Sequence, residues 1–261
     1  MKSSRKAPTM ADVAREAGVS PMTVSRAFKS DAYVNDETRK AILAAAERLG
    51  YVMDSMASGL SSRKTGFVAV TIPSVNNANF ADTIRGLTEG LQEKGLQVLL
   101  GYTSYNLEEE ERLVRQLLTR RPEAIVVTGG KHTEKCRAML ENAGIPVIET
   151  WDIPSDPIDS VVGFSNAEAS AMIVRHLVST GRTKIAFLGG DTSRDTRGFD
   201  RRRGFTRTME QLGLDATRLT EAGPPPISMR EGADAFSRLM QKWPDTCLLY
   251  TSDAADEEDS V

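Results

Sequence analysis

The stretch from Thr9 to Gly50, TMADVAREAGVSPMTVSRAFKSDAYVNDETRKAILAAAERLG, limits this chain more than any other part of it. Its caps and turns leave room for little except three short helices. Thr9 caps the first, with Asp12 three residues on completing a capping box. Val13, Ala14 and Ala17 share one apolar face, and Gly18 makes the turn. Ser20 caps the second helix, and Pro21 takes its first position, where the missing N–H has no intrahelical partner to lose. Asn35 caps a third helix, predicted to close the small core with Ile42, Leu43, Ala46 and Leu49 and to end at Gly50. The second helix then exposes Met22, Thr23, Ser25 and Arg26 at its start. Small residues permit close approach and longer ones reach base edges, as a DNA recognition helix in a major groove requires. The plainer alternative is a helical hairpin on which Arg26 is a solvated charge.

Charge separates this N-terminal unit from the remainder. Residues 1–64 carry 11 Lys/Arg against 7 Asp/Glu, and the following 197 carry 22 against 29. A basic module on an acidic body is expected when only one part meets phosphate. The two cysteines, Cys136 and Cys247, show no metal or redox spacing. The basic opening MKSSRK is not followed by an apolar segment, and no run of about 18 apolar residues appears. These features predict a cytoplasmic protein. His132 and His176 stand apart from any partner in sequence and read as surface or helix-packing residues. Without a Walker loop, a GxGxxG segment or a metal-ligand cluster, no catalytic, cofactor or metal site is predicted.

Residues 8–64 resemble the headpiece of the LacI-type (lac repressor) family of transcription regulators. The likeness rests on DVAREAGVS-PMTVSR and on V-N-DETR-K-I-AA-ERLGY. Met22 before TVSR and the VGF-x-N segment ending at Asn166 are similar to gluconate-type repressors within it. The resemblance implies operator contacts from Thr9, Met10, Ser20, Pro21, Met22, Thr23, Ser25, Arg26, Tyr33 and Asn35, with Met22 suited to a thymine methyl. It also implies that YVMDSMASGLSSRKT holds a hinge helix. Ala57 and Leu60 occupy its Ala-x-x-Leu positions, and Leu60 is the wedge at a minor-groove base step. Met53-Asp54 departs from the Pro-Asn of many relatives, and a flexible linker is the other reading of the segment.

From Gly66 the chain alternates β-branched apolar runs with amphipathic helices. The runs are GFVAVTIPSV, LQVLLGYTS, EAIVVTGG and IPVIETWD, with helices over Phe80–Lys94, LEEEERLVRQLLTR and TEKCRAMLENAG. Unalternating runs of this kind suit parallel strands covered on both faces. A second series is expected to open at SVVGFS and to continue through a helix over Asn166–Gly181, KIAFLGG, a helix over Asp200–Gly213 and one near Ser228–Trp243. The fold class is thus α/β. An all-α helix-turn-helix headpiece precedes periplasmic-binding-protein-like doubly wound lobes, the second of them truncated. The domain reading is a headpiece at 1–52, a hinge at 53–64, an effector and dimerisation body at 65–246, and a tail at 247–261.

In open α/β sheets ligands collect beyond the carboxyl ends of the strands. Ser74, Asn79, Phe80, Asp152 and Asn166 lie there, with the loop GGDTSRDTRGFDRRRGF. By resemblance, Asp152 and Arg201 fall on positions that contact effector hydroxyls or carboxylates, and Asn79-Phe80 on another pocket edge. Arg201 is the expected partner of a sugar-acid carboxylate. Against this, Arg201, Arg202 and Arg203 also read as one solvated helix face, and Asp152 as a turn acid.

The closing string CLLYTSDAADEEDSV resembles a translated transposase sequencing adapter, which predicts a natural chain that continues and completes the second lobe. A native acidic tail is the alternative. The chain as a whole reads as a repressor-type regulator of carbohydrate or sugar-acid metabolism. It would act as a homodimer or homotetramer on palindromic operator DNA, under a sugar or sugar-acid effector. Rival readings are a sugar-binding module without DNA function and an enzyme using the α/β cleft.

Overall fold

The computed structural model describes residues 7–28, 32–53, 65–190 and 195–246, and the backbone of 248–251. The chain divides into two compact units, Met1–Thr65 and Gly66–Val261.

The first unit holds α1 (Met10–Ala17), α2 (Pro21–Ala27) and α3 (Asp36–Leu49). Each start is fixed by a local hydrogen bond. The Thr9 hydroxyl accepts from the Asp12 amide at 3.3 Å while the Asp12 carboxylate accepts from the Thr9 amide at 2.9 Å, the reciprocal box the sequence suggested. Ser20 Oγ accepts from the Thr23 amide, and Asn35 Oδ1 from the Glu37 amide. Gly18 and Gly50 end α1 and α3 at φ 67° and 63°, left-handed values that cost a side chain more than glycine. Val13, Ala14, Val24, Ala27, Ile42, Ala45 and Ala46 form the core. Leu43, expected inside, is instead 44% exposed. The inward stripe of α3 runs through 42, 45, 46 and 49, and residue 43 lies off it.

The second unit begins with a five-stranded, all-parallel sheet in the order β2-β1-β3-β4-β5. Its strands are β1 (Phe67–Ile72), β2 (Gln97–Tyr102), β3 (Ile125–Thr128), β4 (Val147–Thr150) and β5 (Ser160–Val162). Its helices are α4 (Ala78–Gln92), α5 (Leu107–Thr119) and α6 (Glu134–Glu141). Alternation along β1 explains the two layers. Val68, Val70 and Ile72 pack on the α4 side with Phe80, while Ala69 faces Val114 and Leu117 of α5 and Cys136 and Leu140 of α6. β5 corrects the expected division of the chain. SVV pairs with β4 as an edge of this first sheet, so the second series starts later, at α7 (Asn166–Ser179).

A second sheet, β7-β6-β8, consists of β6 (Ile185–Gly189), β7 (Leu219–Glu221) and β8 (Leu248–Thr251), all parallel. β7 has no counterpart among the expected strands, being only three residues long. β8 draws the first residues of the terminal string into the sheet beside β6. Ile185 and Phe187 face α8 (Thr196–Gln211), where Phe205 and Met209 are fully buried, and Ala186 and Leu188 face Ala235 and Leu239 of α9 (Met229–Lys242). α8 starts four residues before the predicted Asp200.

The helices α7 and α8 meet at Gly204, where a Cβ would overlap the backbone carbonyl of Ala167. Backbone on both sides leaves nothing flexible to yield. Gly204→Ala is therefore expected to destabilise the second unit by about 1–3 kcal/mol, as overpacking does. A lowered urea midpoint for that unit measures it; an unchanged midpoint contradicts this packing.

Candidate functional site

In the first unit, the start of α2 is the face free for a partner. Met22 is 66% exposed, and Pro21 and Arg26 are also exposed, with Thr23 and Ser25 half-buried. Several residues of the expected DNA-facing set have structural duties as well. The hydroxyls of Thr9 and Ser20 and the amide of Asn35 cap their helices, and Met10 packs against the core. Tyr33 stands in solvent at 94% exposure. Arg39 fastens the α2–α3 connection by donating to the carbonyls of Ala27 and Ala32. Ala57 and Leu60 lie outside the described residues.

In the second unit, the expected effector residues gather with aromatic side chains beyond the strand ends. Phe80, Trp151 and Phe164 stack edge to face in a row, with centroids 5.5 and 6.1 Å apart. Trp151 has φ 66°, and Ser104 and Tyr105 have φ 51° and 55°. Such values in non-glycine residues are strained and gather at functional sites. Trp151 is tied down by its neighbours, its indole donating to Thr83 at 3.1 Å and its carbonyl accepting from Asn166 Nδ2 at 2.9 Å. Gly163 is required where β5 passes β4, since a Cβ there would overlap the Asp152 backbone. Ser74 is buried and turns its hydroxyl to the Asn76 amide at 3.2 Å, and Asn79 is exposed beside it. Asp152 is buried, with Oδ1 accepting from the Ile153 amide at 2.9 Å, which matches the turn-acid alternative while leaving it beside these residues.

The expected carboxylate reader, Arg201, lies among these residues with its guanidinium already engaged. It donates to Asn166 Oδ1 at 3.0 Å and meets Asp195 Oδ2 at 3.3 Å. The residue that sequence reasoning missed is Arg197. It is 6% exposed, and its Cζ sits 5.2 Å from the Phe80 ring centroid and 5.9 Å from that of Tyr105. Its Nη1 has no hydrogen-bond partner. Once α8 is known to start at Thr196, the signal is visible, because 197, 201, 205 and 208 recur on one helical face.

A second cluster corrects the reading of His132 as a surface or lone packing residue. Its side chain is 1% exposed; Nδ1 lies 2.9 Å from Glu110 and Nε2 3.5 Å from Glu149, both carboxylates buried. Cys136 completes the group, and one donor atom each from Glu110, His132 and Cys136 fall within 4.8 Å of one another, a cluster that spacing alone did not reveal. Burial opposes charge on His132, but the hydrogen bond it donates to Glu110 and the fields of Glu110 and Glu149 outweigh it, so its pKa rises above 6.5. The Cys136 thiol is pushed up to about 12 by burial and by Glu110 and Glu111, and stays protonated.

The comparisons with known proteins join these two sites. Residues 9–54 match the bacterial regulatory proteins of the lacI family, and residues 34–256 match the periplasmic binding proteins and sugar binding domain of the LacI family. This chain belongs to the LacI family. The "HTH-type transcriptional regulator GntR" of Pseudomonas aeruginosa is 36% identical over 91% of this chain and 68% of its own length. Its namesake in Escherichia coli is 32% identical over 80% of this chain and 63% of its own. The chain thus spans about two thirds of these LacI-family relatives. A LacI-family regulator from Silicibacter pomeroyi has a crystal structure that superposes with a TM-score of 0.87 at 34% identity, covering 94% of this chain and 73% of that one. Among the described residues no helix is long and apolar enough to cross a membrane.

A raised histidine pKa stabilises the fold fully below the unfolded value of 6.5, and that contribution fades as pH rises through the folded value. The body is therefore expected to lose stability as pH rises above about 6.5, and His132→Gln to flatten that slope. Urea unfolding across this range checks it. A pH-independent difference between the two proteins contradicts the ion triad.

Proposed function

We propose that this LacI-family chain is a cytoplasmic, sequence-specific DNA-binding repressor whose operator affinity is set by a small sugar or sugar acid in the body. It acts as a regulator and not as an enzyme. The observation that carries the reading is the solvent-facing start of α2, where Met22 and Arg26 project from a helix whose beginning is fixed by Ser20 and Pro21. A recognition helix needs its first turns rigid and its long side chains unengaged. The gluconate-type likeness in the sequence and the regulators named above support the same reading.

The cleft of the body supports effector control. Its aromatic row, its buried Asn166 and its paired Arg201 are the equipment of a polyol pocket, in which ring faces cover C–H surface and polar side chains sort hydroxyls. Ser74, Asn79, Phe80, Asp152, Asn166 and Arg201 form the proposed lining. Effector held there would favour one arrangement of the lobes. In a dimer or tetramer on a palindromic operator, that choice would set the fit of two headpieces to adjacent half-sites. The segment holding Ala57 and Leu60 would be the hinge that transmits it.

The test is fluorescence anisotropy on a palindromic site selected by the protein from random DNA, with a scrambled duplex beside it. Arg26→Ala is expected to lose about 1–3 kcal/mol of preference for the selected site while keeping its salt-dependent binding to both. Equal weakening on all sequences would make Arg26 a phosphate contact and overturn its base-reading role. No difference between the two duplexes in the unaltered protein would overturn the function itself.

A further inference from the structure

The cluster around His132 brings together three kinds of donor from separate parts of the first sheet's cover. Glu110 comes from α5, His132 from the loop after β3 and Cys136 from α6. His132 Nδ1 and Cys136 Sγ approach the same oxygen, Glu110 Oε2, at 2.9 and 4.0 Å, and all three atoms lie within 4.8 Å of one another. The site is sealed from water, with Glu110 4% and Cys136 0% exposed and the His132 side chain 1% exposed. It is also unfinished. His132 Nε2 and Glu149 Oε1 are buried without a hydrogen-bond partner, although native interiors satisfy such atoms.

We propose that Glu110 Oε2, His132 Nδ1 and Cys136 Sγ form a binding site for one divalent transition-metal ion of the zinc class, which ties α5 and α6 to the loop after β3. Thiolate, imidazole and carboxylate together select zinc and its congeners over magnesium or calcium, which take oxygen alone. With metal–ligand lengths of about 2.0–2.3 Å, donors around a tetrahedral zinc stand roughly 3.2–3.8 Å apart, so the three atoms need only small side-chain adjustments to close on an ion. The ion displaces the thiol proton of Cys136, which passes to solvent. Water takes the fourth position, as it does where zinc has three protein ligands.

The surroundings fit the same assignment. With Nδ1 on the metal, the imidazole keeps its proton on Nε2 and directs it at Glu149 Oε1, 3.5 Å away. The two atoms left without partners thus become partners of each other, and a carboxylate on the far nitrogen is how metal-bound histidines are oriented. Glu149 is itself held in place, its Oε2 accepting from the Ile158 amide at 2.7 Å. Thr133 Oγ1 accepts from the Cys136 amide at 3.1 Å and so fixes the turn of α6 that carries the thiol.

The experiment uses the untagged 261-residue chain, stripped with EDTA and titrated with zinc against a chromophoric chelator, and with cobalt as a spectroscopic probe. One equivalent of zinc is expected to bind and raise Tm. Cobalt is expected to give tetrahedral d–d bands with a thiolate charge-transfer band. Cys136→Ser should abolish that band, while Cys247→Ser, at the other cysteine of the chain, should leave it intact. Glu149→Gln should keep the band but weaken zinc binding about 10- to 100-fold, the usual worth of a group that orients a metal-bound histidine. The pH slope expected from His132 is that of the chain stripped of metal.

No zinc binding by the stripped parent at micromolar free metal overturns the proposal. So does a charge-transfer band that survives Cys136→Ser or disappears with Cys247→Ser. Zinc binding unchanged in His132→Gln would place the ion elsewhere and overturn it as well. Should Cys136→Ser fail to fold, the cobalt spectra of the parent and of Cys247→Ser decide, and absence of the thiolate band from either rules the site out.

Discussion

A parallel strand between two neighbours has apolar side chains on both faces and must be covered on both. That requirement organises the body of this protein. β1 divides its residues between α4 on one side and α5 with α6 on the other, and β6 divides its own between α8 and α9. With both faces sealed, polar chemistry is left to the strand ends. There the loops after β1, β2 and β4 bring Phe80, Tyr105, Trp151 and Asp152 opposite the start of α8. The strained backbone at Ser104, Tyr105 and Trp151 falls in the same region, held by Thr83, Asn166 and the ring stack. The gathering of these residues at the strand ends is thus a consequence of how the sheets are buried.

Charge within the body is handled in two contrasting ways. Around His132 opposite charge lies close at hand, since Glu110 and Glu149 flank the imidazole and raise its pKa. Around Arg197 there are aromatic rings on its faces and no paired anion among the described residues. Two buried ionisable groups of the same unit therefore have different meanings. The first belongs to the architecture beneath α5 and α6, where a missing partner would strand a carboxylate. The second lies beyond the strand ends, beside the rings of Phe80 and Tyr105.

How much of this was legible in the sequence depended on the range of the interactions. The headpiece could be read closely because its caps are bonds between residues two or three apart, and Thr9, Ser20 and Asn35 all perform as their types suggest. The sheets of the body were legible as runs, but which sheet SVV joined was not, because strand pairing is decided by tertiary packing. Glu149 was legible in principle. A carboxylate inside the apolar run VIET must find a partner, and its alternation with Val147 points it toward α5 and α6, where Glu110 and Cys136 lie. That Arg197 escaped notice turned on four residues of helix start. With α8 begun at Asp200, Arg197 falls in a loop; begun at Thr196, it sits one turn before Arg201 on the buried face.

The central claim is that the strand ends of the body hold the effector of a DNA-binding regulator. A crystal structure of the chain grown with D-gluconate tests it most directly. The account predicts gluconate along the Phe80–Trp151–Phe164 row, within hydrogen-bond reach of Asn166 or an arginine of α8. A gluconate bound elsewhere on the body, or none bound at all, would contradict it.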